Sequence, residues 1–110
     1  MTKITELYQD GYLIGFRVEG HANYSIPGRD IVCAAVSMLT SNTVNTLSEL
    51  AEINPFVMES DAYIEFAVAN IGSVIVRTLL SAAKIGYRSI AERYPDNVMI
   101  MDEKRSINIV

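Results

Sequence analysis

Apolar and polar positions alternate most cleanly from Tyr12 to Glu19, where Ile14, Phe16 and Val18 fall on one side and Gly15, Arg17 and Glu19 on the other. A period of two is that of a half-buried strand. The preceding segment, Lys3 to Gln9, mixes Ile4, Leu7 and Tyr8 with polar residues in a looser alternation. It reads as a partner strand joined through the hairpin signal Asp10-Gly11. From Ile31 to about Glu52 the period changes. Val32, Val36, Leu39, Leu47 and Leu50 recur at spacings of three, four and their sums, with Thr43 and Thr46 on the same stripe. That is an amphipathic helix, with Asp30 as its N-cap and Pro55 closing the region.

The rhythm then repeats. Phe56 to Ser60 and Tyr63 to Val68 read as a second hairpin turning at Asp61. Asn70 to Ser73 is a turn with Ser73 as N-cap, and Val74 to Tyr94 is a second helix. Its stripe is Val76, Leu79, Leu80, Ala83, Tyr87, Ile90 and Tyr94, and Pro95-Asp96-Asn97 stops it. Val98 to Met101 is a short last strand, which Ile107, Ile109 and Val110 of the tail extend or flank. The order ββα-ββα-β predicts an α+β, two-layer fold: a mostly antiparallel sheet with two long helices on one face. Met38, Met58, Met99 and Met101 read as core filler, and Arg77, Lys84 and Arg88 as a solvated side of the second helix.

With 110 residues, half of them hydrophobic and a fifth charged, the chain is expected to fold as one domain, residues 1–110. Its net charge of −4 argues against direct nucleic-acid binding, which draws on a basic surplus. An acidic body suits a basic or neutral partner. One cysteine and one histidine exclude a structural zinc site within the chain, and no metal or cofactor is expected. The lone thiol, the lack of an apolar leader after Met1 and the lack of a membrane-length apolar run place the expectation in the cytoplasm, away from membranes.

Chemistry concentrates in Gly20 to Ser37, which holds both singletons, His21 and Cys33. The loop from Gly20 to Arg29 is longer than a minimal strand-to-helix connection, and loops of that kind are functional or mobile. Cys33 follows Asp30 by three residues and so sits in the first turn of the helix. Free N–H groups and the helix dipole favour a thiolate there, and a thiolate is the nucleophile of acyl transfer. The same amides can hold an oxyanion. Cysteine is also a common core residue. At about 100° per residue, however, Cys33 lies about 100° from the apolar stripe, with Ser37 and Thr40 as its neighbours along the helix. His21 is either the base for that thiol or a solvated loop residue. Asp30 is first a cap and second a group that orients His21. Ser37 reads most simply as a small flank residue. Gly20 and Gly28 serve the backbone, at positions needing positive φ or close approach. The residues alone leave catalysis and coincidence both open.

Gly20-His21-Ala22, followed by Gly28-x-Asp30-Ile31-Val32-Cys33-Ala34-Ala35-Val36-Ser37, resembles the signature of the bacterial ribosomal-processing cysteine proteases. Val44-Asn45 and the closing Leu80 to Tyr94 helix with Pro95 are similar too, so the resemblance spans the chain. It departs at Pro27, where family members often carry an aromatic residue. The resemblance implies a small homodimeric endopeptidase that trims an N-terminal extension from a large-subunit ribosomal protein. It implies Cys33 as nucleophile and His21 as base, with Asp30 and Ser37 supporting the site. Two rival readings are a non-enzymatic ribosome-associated module using the basic helix side, and a thiol redox sensor at Cys33.

Overall fold

The computed structural model describes residues 1–105. It contains β1 (Thr2–Gln9), β2 (Tyr12–Glu19), α1 (Ile31–Glu49), β3 (Phe56–Ser60), β4 (Tyr63–Ala67), α2 (Val74–Arg93) and β5 (Val98–Lys104). The order is the one the periodicities predict. The last strand is longer than its apolar pattern, because Asp102 to Lys104 continue the pairing with Glu6 to Tyr8. Ile107, Ile109 and Val110 lie outside the described residues. Among the described residues no helix is long and apolar enough to cross a membrane.

The sheet order is β3-β4-β2-β1-β5. All neighbours are antiparallel except β1 and β5, the first and last strands, which run parallel; α2 carries the chain from β4 to β5. Register decides the faces. Ile4 pairs with Val18 and Ile100, and Phe16 with Phe66, so these side chains share the helix-bearing face. There they form one core with Val32, Val36 and Leu47 of α1 and Val76, Leu80, Ala83 and Tyr87 of α2. Phe16 packs on both Phe66 and Tyr87, with ring centroids 5.7 and 4.8 Å apart.

The buried line of α1 differs from its apolar pattern. It runs through Val32, Val36, Thr40, Thr43 and Leu47, while Leu50 is exposed. Thr40 is therefore an interior residue and not part of a solvent flank. Its hydroxyl donates to the Val36 carbonyl at 2.8 Å, so the Tyr87 hydroxyl 2.7 Å away donates to Thr40. Burial pushes the Tyr87 hydroxyl up to about 12, against the hydrogen bond with Thr40. This polar link fixes α1 against α2 in a region where hydrophobicity alone would leave rotation free. The methionines are corrected as well. Met38, Met58, Met99 and Met101 are all exposed. Met38 points away from the buried line of α1, and the other three lie on the edge strands β3 and β5.

The basic side of α2 is also more than a solvated face. Arg88 donates to both carboxylate oxygens of buried Glu6, at 2.8 and 2.9 Å, and the Lys84 ammonium lies 5.5 Å from the Tyr8 ring centroid. On the sheet's other face, Arg105 grips Glu65 through two bonds of 2.7 and 2.8 Å, and Arg17 bridges Glu65 and Glu103. Burial pushes the Glu6 carboxyl up, but hydrogen bonds from Arg88 and Tyr8 and the charges of Arg88 and Lys84 outweigh it and hold it below 4.5. Arg105 above all holds Glu65 below the same value, and Arg17 above all does so for Glu103.

These carboxylates bind protons at lower pH when folded than when unfolded. Their stabilisation is complete above the unfolded value of 4.5 and is lost as pH falls through the folded values. The urea midpoint should therefore be flat near neutrality and fall steeply below about pH 4.5. Glu65→Gln should flatten part of that fall. A midpoint that holds constant down to about pH 3 would contradict these ion pairs.

Candidate active site

The loop between β2 and α1 begins with a glycine the backbone requires. Gly20 has φ +87°, and a Cβ there would lie 2.5 Å from the Met1 carbonyl oxygen. Gly28 also has positive φ, +85°, with open space around it, so its need is conformational alone. Between them His21 is exposed, yet its neighbours are held. The Gly20 N–H donates to the Ala62 carbonyl in the β3–β4 turn at 2.9 Å. Ala22 is buried, and its carbonyl accepts from the Asn97 side chain at 2.9 Å. The imidazole thus projects from a short backbone segment tied on both sides.

Asp30 joins this loop to the helix. One carboxylate oxygen accepts from the Val32 and Cys33 N–H groups, both at 3.0 Å, which is the N-cap the sequence predicts. The other accepts from Tyr24 and Ser25 at 2.9 and 3.2 Å. The Cys33 amide foremost, with those of Ser25, Tyr24 and Val32, holds the Asp30 carboxyl below the usual carboxylate range against the cost of burial. Both oxygens are thereby committed to backbone, and no hydrogen bond joins Asp30 to His21 among the described residues. The expected oxyanion role of the first-turn amides is also revised: those of Val32 and Cys33 already serve the cap.

Cys33 is half-buried, with one side packed on the core and the other lining two cavities. The loop-side cavity, about 510 Å³, is bounded by His21, Asn23, Pro27, Cys33 and Ser37. A second, of about 290 Å³, opens on the β3–β4 hairpin side. His21, Cys33 and Ser37 line both. The structure therefore brings together His21, Cys33 and Ser37, and places Asp30 and Gly20 at the two ends of the loop that presents His21. Tyr24, the aromatic residue left in this loop, turns away from the cavities and packs edge-on against Tyr94, at 5.3 Å between centroids.

Three contributors escaped the sequence reading. Asn97 belongs to what reads only as a helix stop, and its bond to the Ala22 carbonyl spans 75 residues, beyond any local turn signal. Ala62 acts through its carbonyl, which leaves no side-chain signal. Glu59 reaches the hairpin-side cavity from a strand remote in sequence.

A thiol and an imidazole line the same two cavities, and those are the residue types a cysteine hydrolase draws on. The chain belongs to the family described as Cysteine protease Prp, whose family model matches residues 1–99. It is 27% identical over 97 residues to the ribosomal processing cysteine protease Prp of Bacillus subtilis (strain 168), covering 83% of this chain and 87% of that one. Its fold is similar to SMU.848 from Streptococcus mutans, with a TM-score of 0.83, 32% identity and 96% of each chain covered. The essential ribosomal processing protease Prp of S. aureus, solved with a covalently linked product peptide, shares the fold at TM-score 0.88 and 22% identity, over 94% of this chain and all of that one.

Asp30→Ala removes one acceptor from four backbone N–H groups. The thermal midpoint should fall, and hydrogen exchange at the Tyr24 and Ser25 amides should quicken while β2 stays protected. Unchanged protection at Tyr24 and Ser25 would contradict the clasp.

Proposed function

We propose that this chain is a cytoplasmic endopeptidase that removes an N-terminal extension from a large-subunit ribosomal protein, with residues 1–110 acting as one protease domain. The observation that carries the reading is that His21 and Cys33 open onto the same two cavities in a chain of the cysteine protease Prp family. The ribosomal substrate rests on the name of the Bacillus subtilis relative. The acidic net charge of −4 suits a basic substrate of that kind.

Four steps complete the reaction. His21 takes the Cys33 thiol proton, and the thiolate attacks the scissile carbonyl carbon. The carbon–nitrogen bond breaks as the imidazolium returns that proton to the leaving amine. Water, deprotonated by His21, then hydrolyses the thioester and frees the thiol. Ser37 donates its hydroxyl to the oxyanion, because it lines both cavities and the nearest first-turn amides are engaged by Asp30. Asp30 supports the reaction by holding loop and helix together, and Gly20 by admitting the turn before His21. The enzyme acts as a homodimer, which gives exposed Phe56, Met58, Met99 and Met101 on the edge strands a role.

With a peptide spanning the extension boundary as substrate, Cys33→Ala should abolish cleavage. His21→Ala should lower kcat by about a hundredfold to ten-thousandfold. Ser37→Ala should lower kcat by about tenfold or more with little change in KM. Full activity in His21→Ala would overturn the mechanism, and cleavage by Cys33→Ala would overturn the assignment of the nucleophile.

A further inference from the structure

The glutamates of the sheet set one residue apart. Glu6, Glu19, Glu65 and Glu103 stand on four different strands, and each has an arginine within 3.5 Å. Glu59, on the remaining strand β3, has no ion pair among the described residues. Its place is defined by register. Glu59 pairs with Ile64, and Val57, two residues earlier, pairs with core residue Phe66, so Glu59 lies on the helix-bearing face. There it lines the hairpin-side cavity that His21, Cys33 and Ser37 also line. The other walls include Val18, Val36 and Ile64. Thr2, Ser60 and Tyr63 line it too, so the cavity has apolar and polar walls, with the Cys33 thiol and the Glu59 carboxylate among its lining groups. The loop-side cavity differs, because its one carboxylate, Asp30, is filled by backbone donors.

We infer that the hairpin-side cavity is a substrate subsite that selects a lysine or arginine side chain through Glu59. The aliphatic stem of such a side chain covers Val18, Val36 and Ile64, and its cationic head meets the carboxylate in a charge-assisted hydrogen bond. A peptide crossing Cys33 then places an uncharged side chain on the loop side and a cation on the hairpin side. Cleavage specificity comes from this asymmetry. The inference rests on the peptidase reading above.

The test is cleavage-site profiling by mass spectrometry on a library of tryptophan-tagged peptides of mixed sequence, followed by kinetics on the best peptide. Wild type should show lysine or arginine enriched at one fixed position close to the scissile bond. Glu59→Gln should raise KM for that peptide by about tenfold and leave kcat nearly unchanged. It should have no effect on the matched peptide carrying norleucine in place of lysine. Glu59→Lys should shift the preference to aspartate or glutamate. If Glu59→Gln weakens the lysine and norleucine peptides equally, the carboxylate does not read the charge of the substrate, and the subsite is overturned. Wild-type cleavage with no basic preference overturns this inference alone. A wild type that cuts nothing overturns the peptidase reading with it.

Discussion

The site depends on one carboxylate that accepts four backbone N–H groups. Asp30 takes two from the first turn of α1 and two from the loop that follows β2. The first pair fixes the helix start, and with it the position of Cys33. The second pair folds the loop back over that start and so walls the cavity into which His21 also opens. A helix cap ordinarily ends at its own helix. Here the second oxygen makes the cap a joint, and thiol and loop are placed by the same group. Asp30 is thus spent on architecture, which leaves the orientation of His21 to its anchored neighbours Gly20 and Ala22.

Those anchors come from the far parts of the chain. Ala62 belongs to the β3–β4 turn and Asn97 to the connection between α2 and β5. Their reach follows from topology. The central strand β2 has β4 on one side and β1 on the other, and β1 carries β5, so both hairpin and terminal strand come back to the end of β2 where the loop begins. The Thr40–Tyr87 hydrogen bond then sets α1 against α2. The exposed loop hangs from a framework whose rigidity derives from register and core packing.

Much of this was legible in the sequence, and the exceptions share a cause. Strand and helix order follow from apolar periods, and the Asp30 cap follows from its position before an apolar stripe. Positions that the wider fold decides were misread. Thr40 looks like a flank residue because a hydroxyl hides its burial until Tyr87 arrives from α2. Met58, Met99 and Met101 look like core, yet edge strands expose them. Arg88 looks solvated, because its partner Glu6 lies in another half of the chain. Within the site, the placement of Cys33 in the first turn of α1 and of His21 on the loop before it was inferable from local motif and helix spacing. The second cavity was not, since Glu59 and Ala62 come to it only through strand pairing.

The proposed reaction turns on Cys33 attacking the peptide and carrying its acyl group. Acid quenching of the enzyme during turnover, followed by intact-mass and peptide-level mass spectrometry, tests it directly. The expected result is a transient thioester on Cys33, heavier by the acyl portion of the cleaved peptide and released by hydroxylamine. Cleavage at full rate with an unmodified Cys33 at every quench time, and with turnover surviving alkylation of that thiol, would contradict it.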